Sequence, residues 1–328
     1  MKTKKELKQY YETNILPELI IIEKQRKKIK NKLIFSIFIA VLLFIISFVI
    51  IAKFSLGMIF LIIPLCICFI IFFGFYSSFY SGFADEFKDK VIRKIIEFID
   101  PALTYEKNSF VPKTDFVNSK IFNQSAEYYH GDDLVSGIIG KTEIRFSEIN
   151  AKHVEKIGRP HGTGSSRKQE TQTYPIFNGL FFIADFNKDF KGSILVLPDT
   201  AEKLFGRIGQ KLQSMNVGRD QLIKLEDLEF EKMFVVYGED QIESRYILSA
   251  SLMKRLVDFK KKTNKELFIS FVASKAYIAI SYNRELFEPG LFKTLTDFLQ
   301  IQEYFEDLQI AVGIVEDLNL NTRIWSKQ

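Results

Sequence analysis

Apolar side chains run almost unbroken from Leu33 to Ala84, and Lys53 is the only charged residue among them. A hydrocarbon core of about 30 Å needs roughly 20 apolar residues in a helix, so Leu33–Ile51 and Leu56–Phe75 each match one span. A single helix through both would be far too long, with a lysine at its midpoint costing about 2.5–3.5 kcal/mol. The pattern predicts a two-helix transmembrane hairpin with Lys53 at the turn, Gly57 easing the turn and Pro64 tolerated inside the second span.

Helical periodicity continues on both sides. Leu7, Tyr10, Tyr11, Leu19, Ile20 and Ile22 recur at roughly helical spacing, with an interruption near Pro17, and Phe83, Phe87, Val91, Ile95 and Phe98 form a second stripe that ends at Asp100-Pro101. These stripes predict an antiparallel helical pair extending the hairpin; an amphipathic helix lying on the membrane is the rival reading.

Beyond Pro101 the period shortens. Strands are expected at Thr142–Ile149, Gly179–Phe186, Gly192–Asp199, Lys232–Gly238, Ser244–Ser249, Glu266–Val272 and Ala276–Ser281. Helices are expected at Ala250–Lys262, capped by Ser249, and from near Gly290 onward through Leu291, Leu295, Phe298, Phe305, Leu308 and Val312. Asp199 and Glu202 stand at capping-box spacing, and polar, basic Gly158–Gln172 reads as a loop. The fold class is α+β: the helical hairpin with its extensions, then a mixed, mainly antiparallel sheet domain with a long C-terminal helix. The expected divisions are 1–32 (basic juxtamembrane helix), 33–80 (hairpin), 81–105 (connecting helix) and 106–328 (α+β domain).

Charge fixes the expected orientation. The 328-residue chain has a formal net charge of +5, but residues 1–32 carry +6 and residues 54–328 carry −2. Lys24, Arg26, Lys27, Lys28, Lys30 and Lys32 crowd against the first span, whereas the turn holds only Lys53. The positive-inside rule then places both termini in the cytoplasm, as in a multi-pass protein of the bacterial inner membrane. The six basic residues are expected at the lipid surface. Because the basic excess is juxtamembrane, it does not indicate a nucleic-acid-binding domain. The apolar core begins too late and runs too long for a cleavable signal peptide.

Candidate chemistry is sparse. Cys66 and Cys68 lie in the membrane segment and read as apolar filler, which leaves the polar part without a disulfide or zinc framework. His130, His153 and His161 lack metal-ligand spacing, so neither a metal nor a cofactor is expected. Gly140-Lys141-Thr142 resembles the end of a phosphate loop, yet Val135 occupies the required first glycine and a strand follows. "GTGSSRK" (Gly162–Lys168) offers donors for a phosphate but reads as a solvated loop. Asp132-Asp133 and Glu239-Asp240 each adjoin a glycine; paired carboxylates can share a proton or hold a cation, and a turn is the plainer reading. Arg245, before an expected helix N-terminus, could meet an anion.

The segments "YHGDDLVSGIIGKTEIRFSEINAKH", "PIFNGLFFIADFNKDFKGSILVLPD", "KLEDLEFEKMFVVYGEDQIESRYILSASLMKRL" and "LFISFVASKAYIAISYNRELFEP" resemble, in order, the bacterial DUF3137 family, over Phe83 to Phe305. The resemblance implies a membrane protein with two N-terminal spans and a cytosolic domain, supplies no catalytic residues, and makes a LemA-type membrane protein a candidate partner. The expectation is a non-enzymatic binding or scaffold domain at the cytoplasmic membrane face. The alternative is a lipid- or small-ligand-handling domain or enzyme using Asp132, Asp133, Glu239, Asp240 and Arg245.

Overall fold

The computed structural model describes residues 2–53, 66, 73–74, 80–157, 170–186, 188, 190–199 and 221–320. Lys53, expected at the turn, is instead helical at the end of the first long helix, and most of the second span, most of the Gly158–Gln172 loop and the segment after Asp199 lie outside the described residues. The chain divides into two compact units, one made of Lys2–Phe98 with Phe287–Phe305, the other of Ile99–Leu286 with residues from Glu306 onward.

The first unit is helical. α1 (Lys4–Tyr10) opens with a capping box between Thr3 and Glu6, and a five-residue π turn (Tyr11–Ile15) leads into α2 (Leu16–Lys53). The helix therefore passes Pro17 instead of stopping there. A proline lacks its N–H and crowds the carbonyl four residues back, and the wider π turn relieves both conditions. Lys4–Ile51 is the one described helix long and apolar enough to cross a membrane, with a mean hydropathy of 3.3 in its most apolar stretch. Ile34, Phe35, Phe38, Val41, Ile45 and Val49 are exposed along it, as the flank of a core helix would not be.

Residues 80–99 return as a helix, with a second π turn at Lys88–Ile92 followed by α3 (Arg93–Ile99). Phe83, Phe87, Val91 and Ile95 are buried, as the stripe predicts. This helix runs antiparallel to the first. Tyr10 stacks on Phe98 at 4.4 Å, Lys94 Nζ donates to Asn14 O at 3.0 Å, Lys90 lies 3.6 Å from Glu18, and Glu86 is hydrogen-bonded by Gln25.

The second unit is built on nine strands in the order β1-β2-β3-β4-β9-β8-β5-β7-β6, every pairing antiparallel. They are β1 (Thr104–Glu106), β2 (Tyr128–Ile139), β3 (Thr142–Ile157), β4 (Glu170–Asp185), β5 (Ser193–Pro198), β6 (Gln221–Leu222), β7 (Phe234–Gly238), β8 (Leu267–Val272) and β9 (Lys275–Ser281). The continuous apolar runs of β5 and β8 are buried along their length, as strands covered on both faces must be. α4 (Lys113–Asn118) brings Phe116 into an aromatic group with Phe122 at 5.0 Å and Phe181 at 5.2 Å, joined by Phe177, Phe268 and Tyr277.

Two local expectations change. Ser244–Ser249, beyond α5 (Leu228–Glu231), is largely helical, because Asp240 caps α6 (Gln241–Ile247) by accepting from Glu243 N at 2.8 Å. α7 (Ala250–Thr263) follows as predicted, with Ser249 as its cap. The C-terminal helix, α8 (Phe298–Asp317), starts later than Gly290. Within the helical unit, the residues before it are bonded by side chains of α2: Arg26 donates to Leu291 O, and Leu295 N donates to Glu23 Oε2 at 3.1 Å.

Phe116→Ala removes the centre of the aromatic group. It should destabilise the sheet unit by about 3–5 kcal/mol, read as a lower denaturant midpoint for the β signal in circular dichroism.

Candidate functional site

The two acidic pairs are not turns of one site. Asp132 and Asp133 lie inside β2, at a bulge opposite β3, and Asp133 takes a positive φ of 59°. Asp133 is fully buried, accepts from the Tyr105 hydroxyl, and donates its N–H to Lys107 O at 3.0 Å. Glu148 on β3 faces Asp132 in register and is itself buried, with its carboxylate accepting from Leu286 N at 2.9 Å. Burial, reinforced by Asp132, Asp133 and Glu285 and opposed by the Leu286 bond, pushes Glu148 up to about 8. Alternation along β3 marks the neighbours of Glu148, but nothing in the sequence marked Glu148 itself.

Glu239 and Asp240 follow β7, six inter-strand steps from β2 in the sheet order, a separation of roughly 25–30 Å. Glu239 accepts from Ser193 Oγ at 2.7 Å and Lys120 Nζ at 3.3 Å, and Asp240 is the α6 cap. Arg245 sits on α6 rather than ahead of a helix; it donates to Lys224 O at 3.4 Å and lines an open cleft of about 640 Å³ with Leu225, Glu226, Leu248 and Met253. Thus Arg245 neighbours the Glu239-Asp240 turn, and neither is brought together with Asp132 and Asp133. The Gly140-Lys141 pair is the two-residue turn joining β2 to β3, with Gly140 at φ 64°.

The second cleft, about 730 Å³, opens beside β4. β4 pairs with β3 from Glu170 to Ala184, with a bulge at Ile176, but with β9 only from Gly179 to Asp185. Asn178 ends that ladder. Its carbonyl accepts from Tyr282 N at 3.0 Å, its Nδ2 donates to Tyr282 O at 3.1 Å, and its Oδ1 accepts from Asn150 Nδ2 at 3.1 Å. Gly179 beside it, at φ 147°, leaves no room for a Cβ, which would stand 2.2 Å from Ile280 O. Ile176, Phe177 and Phe268 form an apolar lining, while Lys265 and Arg284 supply charge. Lys265 Nζ lies 4.3 Å from the Tyr282 ring centre, and Arg284 pairs with buried Asp307. Burial raises Asp307 above the usual carboxylate range against the pull of Arg284 and of the Tyr282 hydroxyl bond; burial likewise raises Tyr282.

In the helical unit the basic row divides by face. Lys24, Lys27, Lys28 and Lys32 are exposed and Lys30 is half-buried. Arg26 is 5% exposed and bonded to Glu23 at 2.7 Å, so its charge is used inside the unit and not at a lipid surface.

Residues 175–320 match the family described as Protein of unknown function (DUF3137). The match takes in the whole β4 cleft and Asp307, whereas Asp132, Asp133 and Glu148 precede it. The crystal structure of the mycobacterial trehalose monomycolate transport factor A, TtfA, is similar over 66% of this chain and 93% of that one, at 9% identity and a TM-score of 0.30. No curated protein matches.

Arg26→Ala removes the buried guanidinium bonded to Glu23 and should cost about 3–5 kcal/mol, whereas Lys28→Ala, at an exposed position, should stay within about 0.5 kcal/mol; thermal unfolding of the two variants separates a buried pair from a surface charge. Glu148 binds its proton more tightly folded than unfolded, so its contribution is complete below its ordinary value of 4.5 and is lost as pH rises through about 8. Glu148→Gln keeps an acceptor for Leu286 N and should flatten that alkaline loss in denaturation midpoints measured across pH 5–9.

Proposed function

With residues 175–320 assigned to the DUF3137 family, we propose that the protein is a non-enzymatic binding platform held at the cytoplasmic face of the bacterial inner membrane by a two-span hairpin. The antiparallel register of the two helices is the observation that carries this reading. Tyr10 meets Phe98, Asn14 meets Lys94 and Gln25 meets Glu86, so the chain leaves near Leu33 and returns near Tyr80 at one end of the pair. A chain that exits and re-enters at one level, with an exposed apolar helix between, is accounted for by crossing the bilayer twice.

Exposed Lys24, Lys27, Lys28 and Lys32 then stand where anionic headgroups would meet them, each contributing about 1 kcal/mol near the surface. Two spans return both termini to the cytoplasm under the positive-inside rule. The binding role is supported by the wide separation of the acidic pairs and by their internal use in capping and strand bonding. A LemA-type membrane protein remains the candidate partner implied by the family resemblance.

A reporter fused after Gln328 should behave as cytoplasmic; a periplasmic signal there refutes the hairpin. Purification of the intact protein from cross-linked native membranes should yield a stoichiometric protein partner by mass spectrometry. Recovery of the protein alone, or with lipid only, refutes the platform reading.

A further inference from the structure

We propose that the open edge of β4 over Thr171–Phe177, with the cleft beside it, binds an extended acidic segment of a partner protein as an added strand. The inference rests on the binding-platform reading and names the surface that does the binding.

The backbone specifies the kind of occupant. β9 pairs with β4 only as far as Ser281, and the Asn178–Tyr282 bonds turn the chain aside there. Among the described residues no strand pairs with the β9-side edge of β4 beyond that point, although β3 remains paired on the other side as far as Glu170. A strand held on one side and open on the other offers a row of backbone donors and acceptors, and an extended peptide satisfies them in kind. The sheet's outer strands offer much less: β1 has three residues and β6 has two. Pro175 lacks an N–H and interrupts the row, which discourages indiscriminate pairing and leaves selection to side chains.

The side chains specify its character. An added strand turns alternate residues to each face, and the cleft beside β4 is lined by apolar Ile176, Phe177 and Phe268 together with charged Lys265 and Arg284. Nearby acids are already engaged: Glu266 lies 3.3 Å from Lys260, and Asp307 pairs with Arg284 from a buried position. An arginine has five N–H donors, so Arg284 keeps donors for a carboxylate of the occupant after serving Asp307. A second copy of this chain docking through its own β4 would oppose like charges at the same places, so charge complementarity favours an acidic partner.

The test uses the full-length, detergent-solubilised protein and two fluorescent probes, a short peptide of alternating valine and glutamate and its valine-lysine counterpart. The acidic probe should bind saturably in anisotropy titrations and slow amide exchange over residues 171–177, while the basic probe should not bind. Lys265→Glu should weaken the acidic probe about tenfold, whereas Lys254→Glu, on the exposed side of α7, should leave it unchanged. Absence of saturable binding, equal binding of both probes, or concentration-dependent self-association through β4 without peptide binding overturns the proposal. Saturable binding with protection away from β4 overturns this site while leaving the platform reading intact.

Discussion

A charge removed from water must be met by an opposite charge or by several hydrogen bonds, and the helical unit is organised around that requirement. Glu23 and Arg26, one turn apart and both buried, satisfy each other and then reach outward: Glu23 accepts from Leu295 N and Thr294 Oγ1, and Arg26 donates to Leu291 O. Lys88, also buried, meets Glu288 at 2.6 Å. Tyr80 and Tyr11 add hydroxyl bonds to Pro289 O and Thr296 O. Together these contacts tie Phe287–Phe305 to both helices of the antiparallel pair. Replacing them by apolar contacts could match their stability, but not the register that the hydrogen bonds impose.

In the sheet unit the governing feature is unequal strand length. The β3–β4 hairpin continues beyond the end of β9, so one stretch of β4 has a partner on one side only. The ladder stops where Asn178 spends its carbonyl and its side chain on Tyr282, beside a glycine at which the backbones approach too closely for any Cβ. The aromatic group around Phe116 and Phe181 supports the strands on either side of that step. The cleft is thus a consequence of where pairing ends.

The acidic residues illustrate how a chemical signal in sequence dissolves into structural work. Asp240 caps a helix, Glu243 accepts from Lys191 N and Gly192 N at 2.9 Å each, and Asp133 sits at a bulge bonded by Tyr105. Glu148, which drew no notice in sequence, is raised well above the usual carboxylate range because β2, β3 and the segment at Glu285-Leu286 bury it and surround it with like charge. Environment, not identity, separates it from its neighbours.

Periodicity by itself determined the long apolar helix near the N-terminus, the helical stripes on either side of the apolar run and most strands of the sheet, because burial in a core imposes a fixed spacing on apolar side chains. Phe83, Phe87, Val91 and Ile95 could be read directly, as could the runs that became β5, β8 and β9. Local pattern failed where distant groups competed for the backbone: Leu291 to Leu295 carry helical spacing but are bonded by Glu23 and Arg26, and Ser244–Ser249 alternates like a strand but is nucleated as helix by Asp240. The face on which Arg26 lies, the bulge at Asp132 and the open edge of β4 depend on which strands and helices become neighbours. Those choices are made by contacts between residues remote in sequence, and only the tertiary structure records them.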